Sequence, residues 1–296
     1  MGNFISQDDD NYISEGRYGF KPEYHDINDK KIRLSKNTNP ARDIDLQEYF
    51  PKVFDQYNYN TSTAQAVAAV LEYEQLRNKL DIIPISKLYL YILGKGQIRR
   101  TFKIANKYGV ISEELFPYDS AGPFPDMESI SHRDRFYQGS LDYSRVPNDP
   151  EIIKLVLTDG IPIIFGFDIY ESFEDHSKWN NDGVMPLPSK GEKYLGTQTA
   201  VIVGYSKKKK SVIVRNSWGT NWKNNGHFYI PFNYIISKSC STLWTLQLVV
   251  PQEKPPIKKQ NPNPTDEYEP EDDSDSDSEQ DEQPPVINLK ECVIKE

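Results

Sequence analysis

Cysteine is almost absent from this 296-residue chain, which carries only Cys240 and Cys292. Two thiols cannot build a disulfide framework, and the expected setting is reducing and intracellular. Histidine is scarce as well, at four residues, and neither a metal site nor a cofactor is expected. No run of about 18 apolar residues occurs, so no transmembrane segment is expected. The opening decapeptide MGNFISQDDD lacks both a basic start and a long apolar stretch, so no secretory signal is read there. Positive charge is missing from one region altogether. Between Asp266 and Glu282 there are eleven Asp or Glu and no Lys or Arg. The formal net charge is −9, so the remainder of the chain comes to +2. A nearly neutral body argues against a nucleic-acid-binding surface.

The N-terminus carries one short signal. Met1-Gly2-Asn3-Phe4-Ile5-Ser6 fits the N-myristoylation pattern, with Gly2 as acceptor and Ser6 at the small hydroxyl position. The plain alternative is a chance match to a degenerate motif. Asp8, Asp9 and Asp10 would repel an anionic membrane, and one acyl chain binds lipid only marginally. The membrane contact expected from it is therefore weak and reversible.

Four regions are expected: a flexible N-terminus over 1–20, a lead-in over 21–42, a globular domain over 43–250 and a disordered acidic tail over 251–296. The tail has no apolar periodicity and cannot offset its chain entropy by burial. Within it Ser274, Ser276 and Ser278 each precede an acidic residue by three positions, a pattern suited to an acidophilic kinase. A solvating tail explains the same residues. In the globular region, Ala66, Val67, Val70 and Leu71 lie on a helical stripe. Ser86–Leu93 and Ile98–Tyr108 also read as helices, the latter stopping at Gly109. The second half changes to β-branched and aromatic runs, from GIPIIFGFDIY at Gly160 to GHFYIPF at Gly226. Helices first and strands afterwards indicate an α+β protein.

Two strings carry the chemistry. The first, DQYNYNTSTAQA from Asp55, places Gln56 six residues ahead of Ser62 at the start of a helical stripe. The second, NSWGTNWKNNG, runs from Asn216 to Gly226. Together they resemble the papain-like cysteine peptidases, and most closely the subgroup of bacteria and large DNA viruses whose nucleophile segment reads DQGxxGSCTANA. The resemblance covers about residues 22–250 and implies a papain-like fold of two subdomains, a helical left half and a β-rich right half, with a cleft between them. It also implies a role for each matched position. Ser62 stands where the family has its cysteine. Gln198, opening QTAVIVGY, stands where the subgroup has the histidine of HAVLAVGY. Asn216 matches the asparagine that orients that histidine, and Gln56 the oxyanion donor. Two departures concern glycines: Tyr57 replaces the one in DQG, and Lys223 one in NSWGxxWGxxG.

A serine nucleophile needs a general base within hydrogen-bond reach, and a glutamine amide cannot serve as one. The expectation is therefore an inactive homologue acting as a peptide- or protein-binding or structural protein, with a peptide ligand in the cleft. The competing reading is a hydrolase that uses Ser62 and an unidentified base. An ordinary structural reading also exists: Ser62 and Gln65 form a helix capping box, Gln198 and Asn216 form a neutral amide pair, and Cys240 is a small core residue. The Asn-, Lys-, Ile- and Tyr-rich composition, with the lipidation motif, also suggests a giant-virus protein associated with the virion.

Overall fold

The computed structural model describes residues 16–24, 26–34, 39–40, 43–118, 130–179 and 181–250. All of these except Ile130 belong to one unit. His25, Gly2, Cys292, Ser274, Ser276 and Ser278 lie outside the described residues.

Three helices form the first half. Helix α1, Ser62–Arg77, is the central element: 14 of its 16 residues are buried. A stripe was expected; burial on nearly every face is the finding, because α1 packs on α2 and α3 on one side and on the sheet on the other. The small residues Ala64, Ala66, Ala68 and Ala69 permit that close approach. Helix α2, Lys87–Gly94, starts where the Ser86 hydroxyl accepts the Tyr89 N–H at 3.2 Å, a side-chain cap. Helix α3, Ile98–Tyr108, ends as expected at Gly109, whose φ of 78° suits glycine.

The second half is antiparallel. Strands β1 (Ile44–Asp45), β2 (Leu141–Arg145), β3 (Ile163–Tyr170), β4 (Tyr194–Ser206), β5 (Ser211–Arg215), β6 (His227–Pro231) and β7 (Cys240–Leu248) form one sheet. Its order is β2-β7-β3-β4-β5-β6, with β1 on β4. Helix α4, Pro150–Thr158, starts with Asp149 accepting the N–H groups of Glu151 and Ile152. The mixed helix-and-antiparallel-sheet architecture is the α+β fold expected from the sequence. Cys240 is buried in the core, and burial pushes its thiol pKa up. Among the described residues no helix is long and apolar enough to cross a membrane.

The lead-in contributes more than a connection. Residues 16–24 and 26–34 run against the body and are tied to it repeatedly. Glu23 accepts the Arg99 N–H at 3.0 Å, at the exposed amide end of α3. Asp29 pairs with Arg99 at 2.6 Å. Ile32 donates to the Arg145 carbonyl at 2.9 Å, and Arg145 donates to the Lys30 carbonyl at 2.7 Å.

Candidate active site

The two matched strings come together at the N-terminus of α1. The backbone joins them first: Gln56 N–H donates to the Ser217 carbonyl at 2.8 Å, and Gly219 N–H to the Phe54 carbonyl at 3.2 Å. Tyr57 and Lys223, which replace family glycines, keep left-handed backbones with φ of 55° and 47°. The Asp55 carboxylate accepts the Tyr57 N–H at 2.8 Å and helps to hold that conformation, which costs a non-glycine residue about 1–2 kcal/mol.

The side chains then form an amide and hydroxyl network in which Gln198 Oε1 and Asn216 Nδ2 have no partner. Gln198 Nε2 donates to Gln56 Oε1 at 3.0 Å and to Asn216 Oδ1 at 3.1 Å, the amide pair expected from the sequence. Ser217 Oγ donates to the same Gln56 oxygen at 2.5 Å. Gln56 Nε2 donates to the carbonyls of Arg17 at 2.9 Å and Tyr59 at 2.6 Å. A primary amide has two N–H donors, so both are taken and neither is left for a developing oxyanion.

Ser62 is not the helix cap. The cap position is Thr61, which makes no side-chain cap bond; its hydroxyl meets the Tyr118 hydroxyl at 2.6 Å. Ser62 is the first helical residue, and its Oγ accepts the Thr199 N–H of β4 at 3.2 Å. Gln65 Nε2 makes no hydrogen bond. The expected capping box is thereby overturned: the serine has turned from its own helix to the neighbouring strand. Among the described residues no histidine is a hydrogen-bond partner of Ser62, Gln56, Gln198 or Asn216. His132 and His176 sit in single turns that bury no residue, and no group of His, Cys, Asp or Glu among the described residues could hold a metal.

His227 belongs to a different environment. It pairs in register with Arg215 across β5 and β6, and its Nδ1 lies 3.0 Å from the Asn225 carbonyl. Burial, and then the Arg215 guanidinium, push its pKa down to about 4 from 6.5. The neutral ring is thus the folded form. Its contribution to stability is present above about pH 6.5 and is lost as pH falls through about 4, a difference of about 3 kcal/mol. Urea unfolding of wild type and His227→Gln at pH 7 and pH 4 reads this: the acid loss is expected to be smaller by that amount in the variant.

Residues 16–21, which sequence reasoning assigned to a flexible terminus and lead-in, lie over this network. Gly16 N–H donates to the Asn58 carbonyl at 3.0 Å, and Lys21 N–H to the Gly96 carbonyl at 3.0 Å. Between them Arg17 sits 4.6 Å from the Trp218 ring, and Tyr18 hydrogen-bonds Glu174. Phe20 N–H reaches the Thr197 carbonyl at 3.4 Å, and the Thr197 hydroxyl donates to the Phe20 carbonyl at 2.5 Å. The segment therefore bridges the helical side, at Asn58 and Gly96, to the β side, at Thr197. The Phe20 ring is 3% exposed, and Gln56, Ser62 and Gln198 are fully buried. The available signal was two aromatics, Tyr18 and Phe20, in an otherwise polar stretch. Gly166 forms the floor under Phe20: a Cβ there would meet the ring at 2.0 Å. Gly166→Ala is expected to expel Phe20 and to speed tryptic cleavage after Arg17; unchanged cleavage would count against this packing.

Similar proteins share this architecture. The family model described as papain family cysteine protease matches residues 94–243, just over half of the chain. An uncharacterized peptidase C1-like protein of Acanthamoeba polyphaga mimivirus is 29% identical over 233 residues, covering 71% of this chain and 73% of the relative. Xylellain, a cysteine protease from Xylella fastidiosa, superposes with a TM-score of 0.71 at 26% identity, over 80% of this chain and 98% of that one. Digestive procathepsin L 3 of Tenebrio molitor shares the fold at a TM-score of 0.60 and 16% identity, over 80% of this chain and 76% of that one. With the matched strings assembled around one site in a papain-like fold, the chain belongs to the papain family of cysteine proteases.

Proposed function

We propose that this protein is a papain-family member without peptidase activity, acting as a structural or binding protein. The observation that carries the reading is the network at the catalytic positions: Gln198, Gln56, Asn216 and Ser217 are joined to one another by amide and hydroxyl hydrogen bonds. None of these groups can accept a proton from Ser62 near neutral pH. Loss of both nucleophile and base leaves only binding and oxyanion contributions, and here the oxyanion donor is spent on Arg17 and Tyr59.

The same geometry refines the partner. A peptide in the cleft would have to displace residues 16–21, so the cleft serves the chain's own N-terminal segment and partners bind elsewhere. The mimivirus relative and the bacterial structural neighbour support placement in the subgroup shared by large DNA viruses and bacteria. A virion location, Gly2 myristoylation and phosphorylation at Ser274, Ser276 and Ser278 belong to this proposal, and mass spectrometry of purified particles tests all three. For the catalytic part, the purified chain is incubated with a peptide library. No cleavage is expected; cleavage abolished by Ser62→Ala would overturn the reading.

A further inference from the structure

Behind the amide network, between α1 and β4, lies a cavity of about 230 Å³. Arg215, at the end of β5, lines it and is 5% exposed. One Nη2 hydrogen bond goes to the Lys52 carbonyl at 2.9 Å, and the guanidinium carbon stands 5.4 Å from the Phe50 ring. Among the described residues no ion pair joins Arg215 to a carboxylate. Glu72 also lines the cavity, but its Oε1 is already shared by Lys87 Nζ at 3.3 Å and the Ile85 N–H at 2.9 Å. Lys87 is paired on its other side with Glu113 at 3.4 Å. Glu72 is close enough to favour the Arg215 charge but is divided with Lys87, and a buried guanidinium with only a shared counter-ion is an expensive arrangement.

Gln65 and Asn216 belong to the same lining, and their Nε2 and Nδ2 make no hydrogen bond, which is uncommon for buried amides. Both nitrogens are sealed in the packing, so Arg215 is the donor that can meet a ligand, while the one carboxylate of the lining is already paired. Lys52, Lys87, Thr199 and Ser217 also line the cavity, and its apolar part includes Ala66, Ala69 and the exposed Ile82.

We propose that this cavity is a binding site for a small organic carboxylate, its head drawn to Arg215 and its apolar body against Ala66, Ala69 and Ile82. A planar guanidinium suits a carboxylate, and the apolar wall distinguishes such a ligand from an inorganic anion. The inference is independent of whether the protein hydrolyses peptides.

The test uses the full chain with benzoate as probe, benzamide as its neutral isostere and chloride as an inorganic anion, read by calorimetry and thermal shift. Saturable benzoate binding is expected, with benzamide weaker by at least about tenfold. Arg215→Met, which removes the charge but keeps most of the volume, and Ala69→Leu, which fills the space without touching the charge, should each weaken benzoate at least about tenfold. If Arg215→Met does not fold, Ala69→Leu decides alone. No benzoate binding up to about 10 mM, equal binding of benzamide, or binding indifferent to Ala69→Leu would each overturn the proposal. Chloride raising Tm as much as benzoate would overturn it too, by making the site one for inorganic anions.

Discussion

Phe20→Ala is expected to lower stability by about 3–5 kcal/mol, the range for removing a fully packed aromatic ring. The ring is 3% exposed and lies against the backbone of Gly166, which cannot collapse into the space because β3 is held on both edges, by β4 and β7. The flanking hydrogen bonds to Thr197 and Gly96 depend on the same placement. Local release of residues 16–21 would cap the measured loss below the global value, so two readouts are needed. Urea unfolding gives the stability change. Trypsin cleavage after Arg17 gives the release, which should accelerate by at least about tenfold. A stability loss under about 1 kcal/mol with unchanged trypsin kinetics would show that the ring is not packed as described.

The second large effect is catalytic. On the proposed assignment, Ser62→Cys with Gln198→His would supply the family's nucleophile and base, whose joint loss is worth about 10⁶ in rate in a related triad logic. In the otherwise unchanged chain this pair is expected to give no turnover, because residues 16–21 still cover the site and Gln56 still donates to Arg17. Adding Phe20→Ala frees the cleft and one Gln56 donor, and peptide hydrolysis at least about 10³-fold above the wild-type background should follow. Turnover from the double variant alone would mean that the segment does not block the cleft. Silence from the triple variant would mean that the cleft walls have diverged too, with Tyr57 the first place to look.

Much of this was legible in the residues. NSWG and the six-residue spacing from Gln56 to Ser62 located the site because those strings are rare by chance, and the helices read at 86–93 and 98–108 stand within one residue of their observed bounds, the second stopped by its terminal glycine. The Gln198–Asn216 pair was legible because an amide without a histidine to orient must find another polar partner. Three features were not. The Ser62 hydroxyl bonds to Thr199, 137 residues away, and local capping rules see only the next helical turn. Residues 16–21 carry too few apolar groups to announce burial; their order comes from complementary glycines at 166 and 196, where the sequence says only that a side chain is missing. Nothing local to Arg215 announces its burial, which depends on how α1 meets the sheet.

The central claim is that Ser62 has no base. The most direct test is fluorophosphonate labelling of the wild type and of Phe20→Ala, with the modified residue mapped by mass spectrometry. Using both proteins separates a covered serine from an unactivated one. The account predicts no adduct at Ser62 in either. An adduct at Ser62 in the Phe20→Ala protein, lost on further change to Ser62→Ala, would contradict it.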